Sequence, residues 1–138
     1  MAISQDSLEI RTNPKSFLDI TSQVQDFVTK SNIQNGVCNL FIKHTSASLV
    51  IQENYDPSVM QDFETIFSNL APEDFPYVHN MEGKDDMPAH IRSALTSTSE
   101  TIPIVNEKLS LGTWQGIYIW EHRAQTHNRK VMVSMIGE

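Results

Sequence analysis

Two of the chain's five histidines lie close together in the sequence, among three carboxylates. These residues are His79, Glu82, Asp85, Asp86 and His90. The spacing predicts a helix that begins near Asp86, with Asp86 as N-cap and Pro88 in the first turn. His90 then lies one turn from Asp86, and a turn at Gly83 allows His79 to fold back toward both. Imidazoles, carboxylates and a helix N-terminus in one place suit a metal ion or an anionic ligand.

A third histidine follows a predicted strand. Cys38, Leu40 and Ile42 alternate onto one face of residues 37–44, and His44 is next on that face. A single histidine there is more often a core residue bonded to backbone. Three imidazoles from distant segments can also meet in the fold and leave a fourth metal position for water. His44, His79 and His90 are therefore candidate metal ligands, although no His-x-x-x-His or Cys-x-x-Cys spacing supports them.

Three other kinds of chemistry compete with the metal site. Phosphate could be bound by the hydroxyls of residues 45–48, by helix N-termini near Pro57 and Pro88, and by nearby cations. The candidate cations are Lys43, Lys84, Arg92 and Arg123. Acid–base chemistry could use Asp86 with His90, or Glu121 with a histidine. Thiol chemistry at Cys38 is disfavoured, because Cys38 lies on an apolar strand face with no assigned base.

The composition predicts a single domain over residues 1–138 and excludes several classes of protein. A net charge of −7 argues against a general binder of nucleic acid or of anionic membranes. No apolar stretch approaches the roughly 18 residues of a membrane span, and no secretory signal is evident. One cysteine suits a reducing compartment, so we expect a cytoplasmic protein.

About seven strands and three helices are predicted, which indicates an α+β fold with a mainly antiparallel sheet or sandwich. A helix from Ile20 to about Lys30 takes Thr21 or Ser22 as its cap. The clearest helix begins at Pro57 with Asp56 as N-cap and leaves Asp62 and Glu64 solvated. The strands at 37–44 and 49–53 are expected to pair as a hairpin. The other strands are expected at residues 7–12, 101–106, 109–111, 117–123 and 129–136.

Several short motifs together resemble the YjbQ-like family, whose members have been described as secondary thiamine-phosphate synthases. The matching motifs are His44–Ser48, Glu53–Pro57, Tyr77–His79, Asp85–His90, Leu111–Ile117, Glu121–Arg123 and Gly137–Glu138. They occur in the family's order from about Asp19 to the last residue. Each motif alone is weak, but the set is specific.

This resemblance implies a homotrimer in which β-sheets pack around a threefold axis, with a polar pocket near a subunit boundary. His44, His79 and His90 become ligands of a divalent metal, zinc or magnesium, and catalytic residues. Asp86, Gln115 and Glu121 support them, and Asp86 and Glu121 are also candidate catalytic residues. The implied substrate-binding residues are Ser46, Ser48, Thr113, Trp114 and Gln115.

The implied activity joins an aminopyrimidine pyrophosphate to a thiazole phosphate and releases pyrophosphate. A cation would stabilise the leaving group, and an aromatic ring such as that of Trp114 could face the pyrimidine. The expected partner is thus a small phosphorylated metabolite. Two alternatives stay open: a non-catalytic trimeric module that binds a small anion or metabolite, and a metal-dependent phosphoester hydrolase.

Overall fold

Eight strands and three helices make up the structure, a computed structural model that describes residues 1–138. The strands are β1 (Ala2–Arg11), β2 (Phe17–Asp19), β3 (Gly36–Ile42), β4 (Ala47–Glu53), β5 (Ser99–Val105), β6 (Lys108–Leu109), β7 (Gln115–Glu121) and β8 (Asn128–Gly137). The helices are α1 (Thr21–Ser31), α2 (Pro57–Leu70) and α3 (Asp86–Leu95). None of the helices is long and apolar enough to cross a membrane.

The strands form two antiparallel sheets, which confirms the predicted α+β class. One sheet has five strands in the order β1-β8-β3-β5-β6, and the other has three in the order β2-β7-β4. Both sheets bury one face in a single cluster of 16 residues, which also takes Val24 and Val28 of α1. The alternation of Cys38, Leu40 and Ile42 on β3 supplies part of this core, as predicted.

The predicted hairpin between β3 and β4 is wrong. β3 pairs with β5 and β8, whereas β4 pairs with β7 in the other sheet. Residues 43–46 carry the chain across the core from one sheet to the other, and Ile42 and Leu49 on either side of this link are fully buried. Alternation along the chain shows which residues face inward, but it does not say which strand lies alongside.

The sequence predicts the N-cap of α2 correctly, but not the N-caps of α1 and α3. Asp56 caps α2 as expected, since its carboxylate accepts the Ser58 N–H at 2.9 Å. In α1 the N-cap is Ile20, and the Asp19 carboxylate accepts the N–H and hydroxyl of Thr21 instead. In α3 the N-cap is Asp85, so Asp86 is the first helical residue rather than the cap.

Helix α2 lies on the outer face of the three-stranded sheet and has no fully buried residue. Its Phe63 and Phe67 rings lie 6.4 and 4.8 Å from that of Trp120 on β7, which also stacks on Phe17 at 4.3 Å. These contacts cover the β7 face that points away from the core, so β7 is buried on both sides.

The outer face of the five-stranded sheet has no such cover. Ile3, Ile136, Val37 and Pro103 are cross-strand neighbours in one row over four strands. The exposed fractions of Ile3, Val37 and Ile136 are 71%, 39% and 40%. Phe41, two rows further along β3, is 47% exposed. This apolar face is called the open sheet face below.

Candidate functional site

The structure brings His79, Asp86 and His90 together, as the spacing predicts. One ligand atom from each residue lies within 4.8 Å of those of the other two. Asp86 and His90 are one turn apart at the start of α3, and the loop before α3 returns His79 to the same place. Gly83 permits that return, because its φ of 103° lies in the left-handed region that favours glycine.

The hydrogen bonds of His90 determine what its second ring nitrogen can do. Nδ1 lies 2.9 Å from the Thr45 carbonyl oxygen, which can only accept, so Nδ1 carries a hydrogen. In the neutral ring Nε2 then presents a lone pair, and it lies 3.3 Å from Asp86 Oδ2. His79 Nε2 approaches the same Oδ2 at 2.9 Å and Glu82 Oε2 at 3.1 Å. A lone pair and a carboxylate oxygen repel at this distance unless a cation or a proton lies between them.

Arg123 fixes the carboxylates of this site from the other side. Its Nη1 lies 2.9 Å from Asp86 Oδ1, its Nε donates to Asp85 at 2.8 Å, and its Nη2 donates to the Glu82 carbonyl at 2.9 Å. Burial alone would raise the pKa of Asp85, but hydrogen bonds from Arg123 and the Ala124 amide outweigh it and hold that pKa below its ordinary value. Asp86 therefore stays oriented with Oδ2 toward the two histidines.

His44 is not a member of this group. Its Nε2 accepts the backbone N–H of Lys130 at 2.8 Å, at the start of β8. Burial, with the nearby charge of Arg129, lowers the pKa of His44 and favours its neutral form. His44 is linked to the His79–Asp86–His90 group only through the backbone of Thr45.

Glu121 and Ser46 belong to a separate buried network. The Glu121 carboxylate accepts from the Arg129 guanidinium and the Thr12 hydroxyl, and Arg129 also donates to Ser46 at 3.0 Å. Burial alone would raise the pKa of Glu121, but these hydrogen bonds outweigh it and keep that pKa below its ordinary value. Glu121 makes no hydrogen bond to His79 or His90, so its contacts stabilise the fold and do not position the histidine cluster. A buried carboxylate needs a nearby cation, and this requirement could have suggested Arg129 as the partner of Glu121.

Ser48 takes part in a third cluster, with a histidine that the sequence analysis does not single out. Ser48 Oγ lies 2.9 Å from His122 Nε2 and accepts from the Thr96 hydroxyl at 2.6 Å. His122 Nδ1 is buried without a hydrogen-bond partner in the protein, and His122 lines a polar cavity of about 220 Å³ with Asp85 and Arg92. Burial, then the charges of Arg92 and Arg129, lower the pKa of His122 to about 3.

The remaining predicted substrate residues lie in the loop before β7 and at its start. Thr113 is exposed, Trp114 is 57% exposed with its ring 5.2 Å from that of Tyr55, and Gln115 accepts the Gly112 N–H. None of the three hydrogen-bonds to the histidine cluster. Thiol chemistry finds no support either, because burial raises the pKa of the Cys38 thiol to about 11.

Comparison with known proteins identifies the family. The family model for UPF0047 protein YjbQ-like matches residues 6–138. The chain belongs to the YjbQ-like UPF0047 family. Among its relatives, UPF0047 protein sll1880 of Synechocystis is 54% identical over 97% of this chain and 92% of the relative. UPF0047 protein YjbQ of Salmonella typhimurium is 38% identical over 97% and 98%.

Solved structures of the YjbQ-like family share the whole fold. A YbjQ-like protein of unknown function from Sulfolobus solfataricus superposes with a TM-score of 0.91 at 28% identity, covering 99% of both chains. A conserved protein of the yjbq/upf0047 family from Clostridium acetobutylicum gives 0.87 at 37% identity, covering 95% of this chain and 99% of that one. The sheets and helices that position the site are therefore those of the family.

Proposed function

We propose that this protein is a metal-assisted enzyme that acts on a small phosphorylated metabolite, with the metal bound by His79, Asp86 and His90. The observation that supports this most is the distance of 3.3 Å from His90 Nε2, which carries a lone pair in the neutral ring, to Asp86 Oδ2. A divalent cation between His90 Nε2 and Asp86 Oδ2 would bind both atoms and remove the repulsion between them. The Thr45 carbonyl binds the other ring nitrogen of His90, and Arg123 binds the other carboxylate oxygen of Asp86. Metal ligands in proteins commonly have such hydrogen-bonded partners.

The donor set favours zinc over magnesium. Two imidazoles and one carboxylate suit zinc, whereas magnesium prefers oxygen ligands alone. The half-exposed His79 leaves the site open toward solvent, so a substrate oxygen could approach. His44 is left out of the donor set because its Nε2 already accepts the Lys130 amide.

The reaction that we propose for testing is the thiamine-phosphate synthase-like condensation. The thiazole nitrogen forms a bond to the pyrimidine methylene carbon, and the bond from that carbon to the pyrophosphate oxygen breaks. When bound, the metal would supply charge to stabilise the departing pyrophosphate. Asp86 and His90 would hold it in place, and Arg123 would keep Asp86 oriented.

Metal content tests the site. We expect about one zinc ion per wild-type chain by elemental analysis and a loss of at least about tenfold in affinity for His90→Ala and His79→Ala. His127→Ala is the matched control, since the ring of that histidine hydrogen-bonds only the Gln125 carbonyl and lies near Glu121, outside the cluster. Equal zinc binding by wild type and His90→Ala would refute the site.

Turnover tests the reaction separately. Wild-type protein loaded with zinc is expected to form thiamine phosphate from the two substrates, and His90→Ala is not. Release of phosphate from simple phosphoesters without condensation would instead identify a metal-dependent hydrolase. Zinc binding without either activity would leave the non-catalytic metabolite-binding module.

We also propose that the protein is a homotrimer that packs through the open sheet face. The row formed by Ile3, Ile136, Val37 and Pro103 supports this, because a contiguous exposed apolar surface commonly marks a protein–protein contact.

A further inference from the structure

A second pocket, separate from the histidine cluster, lies at the end of the five-stranded sheet where β1, β8 and β3 meet. It has a volume of about 630 Å³, and its polar lining includes Glu9, Arg11, Lys43, His44, Arg129 and Lys130. Four of the chain's ten lysines and arginines are thus concentrated here beside one carboxylate. In a protein of net charge −7, this is a local reversal of sign. We call it the basic pocket.

Several of these cations are available to a ligand. Neither Arg11 nor Lys43 has an ion-pair partner. Lys130 pairs with Glu9 at 3.1 Å, but both side chains are well exposed, so water and ions compete with that pair. An incoming anion would therefore break no buried ion pair.

Two further donors are held in fixed positions. Arg129 is only 4% exposed, and it commits Nε and Nη2 to Glu121 and Ser46, which leaves Nη1 outside these bonds. His44 accepts the Lys130 amide at Nε2, so the neutral ring carries its hydrogen on Nδ1 as a donor. The pocket thus combines mobile surface cations with a guanidinium and an imidazole that the fold has already oriented.

We propose that the basic pocket binds the phosphate group of a small molecule. Guanidinium, ammonium and imidazole N–H groups are the usual partners of phosphate oxygens, and the volume is that of a metabolite site. The net negative charge of the protein disfavours long polyanions such as nucleic acid. This proposal does not depend on a metal or on the condensation reaction proposed above.

Titration of the full-length protein with inorganic phosphate and with glycerol 3-phosphate tests this, followed by amide NMR shifts at low salt. We expect the shifts to centre on residues 43–44 and 128–130, and Arg11→Gln and Lys43→Gln each to weaken binding about tenfold. Lys30→Gln, an exposed lysine at the end of α1, should change affinity less than about twofold. Glu9→Gln removes the one carboxylate and should strengthen binding.

Each possible result either supports or contradicts phosphate binding in the basic pocket. Tighter binding of glycerol 3-phosphate supports a phosphorylated metabolite as the ligand, and equal binding of both probes supports free phosphate. Equal losses in Lys43→Gln and Lys30→Gln, or shifts centred on His79 and His90, would overturn the proposal. Because His79→Ala should still bind phosphate, failure of the metal site and failure of this pocket are distinguishable.

Discussion

At the scale of single residues, His122 has a pKa that its buried surroundings shift strongly. It is 2% exposed and hydrogen-bonds Ser48, and its burial, followed by the charges of nearby guanidinium groups, makes protonation costly. Its pKa of about 3 lies well below the ordinary value of 6.5. The unfolded chain therefore takes up a proton below pH 6.5 that the folded chain refuses, so this residue's contribution to stability is lost as the pH falls toward 3.

We predict that His122→Gln flattens the pH dependence of stability. Between pH 6 and 5, His122 should contribute a slope of about 1 kcal/mol per pH unit to the free energy of unfolding. The variant should lose that slope even if it is less stable at every pH. Urea unfolding at several pH values and one fixed protein concentration measures it. An unchanged slope would mean that His122 titrates normally in the folded state.

Single-residue predictions succeeded where the relevant contacts are local. His90 and Asp86 are one helical turn apart, and a glycine turn returns His79, so spacing alone indicates the cluster. The partners of Glu121 and Ser48 depend on which strands meet. Arg129, Thr12 and His122 reach them only in the folded sandwich, and no local spacing carries that information.

At the scale of elements, α2 is attached to the protein by few contacts. Besides its two phenylalanines, the link is Arg92, whose two terminal nitrogens donate to Glu64 at 2.9 and 3.0 Å and one of which also donates to Ser68 at 3.2 Å. Arg92 is 5% exposed on α3, so the pair joins two helices. The apolar stripe of the helix predicts that Glu64 is solvated, as is Asp62, because both residues lie off that stripe. Arg92 is too distant in sequence for spacing to reveal it.

We predict that Glu64→Gln destabilises the protein by about 1–3 kcal/mol, less than a fully buried pair would cost, because Glu64 is partly exposed. The buried Arg92 would keep its charge and lose its counterion. Asp62→Asn, which removes the same charge from an exposed position on α2, should stay within about 0.5 kcal/mol. Urea unfolding followed by Trp120 fluorescence compares the two. Equal effects would show that helix charge, not the Arg92 contact, is responsible.

The sequence predicts elements better than their arrangement. All three helices and seven of the eight strands follow from periodicity and turn residues, and only the short β2 is missed. The assignment of β3 and β4 to one hairpin fails because a four-residue link can either reverse a strand within a sheet or carry it to the opposite sheet. Both outcomes leave the same apolar alternation along the chain.

At the scale of the whole molecule, the open sheet face is one of several exposed apolar regions of the surface. Its apolar row of Ile3, Ile136, Val37 and Pro103 extends over four strands, and the next outward row is polar. An exposed apolar row on a sheet whose other face is already buried is a candidate surface for contact with another chain.

We predict that wild-type protein sediments at three times the 15.7 kDa chain mass, and that Val37→Glu sediments as a monomer that keeps its circular dichroism spectrum. Three carboxylates brought together in an apolar contact would repel one another. Ile66→Glu, on exposed α2, is the control and should stay trimeric. A wild-type mass of one chain would contradict the trimer directly.

The position of Cys38 has a practical consequence. This sole cysteine lies fully buried on β3, with β8 on one side and β5 on the other. A maleimide in solution can reach the sulfur only in molecules whose sandwich has separated, and a thiol of pKa about 11 reacts slowly until then. The rate of alkylation of the unmodified protein therefore reports how often the two sheets part, without any engineered probe.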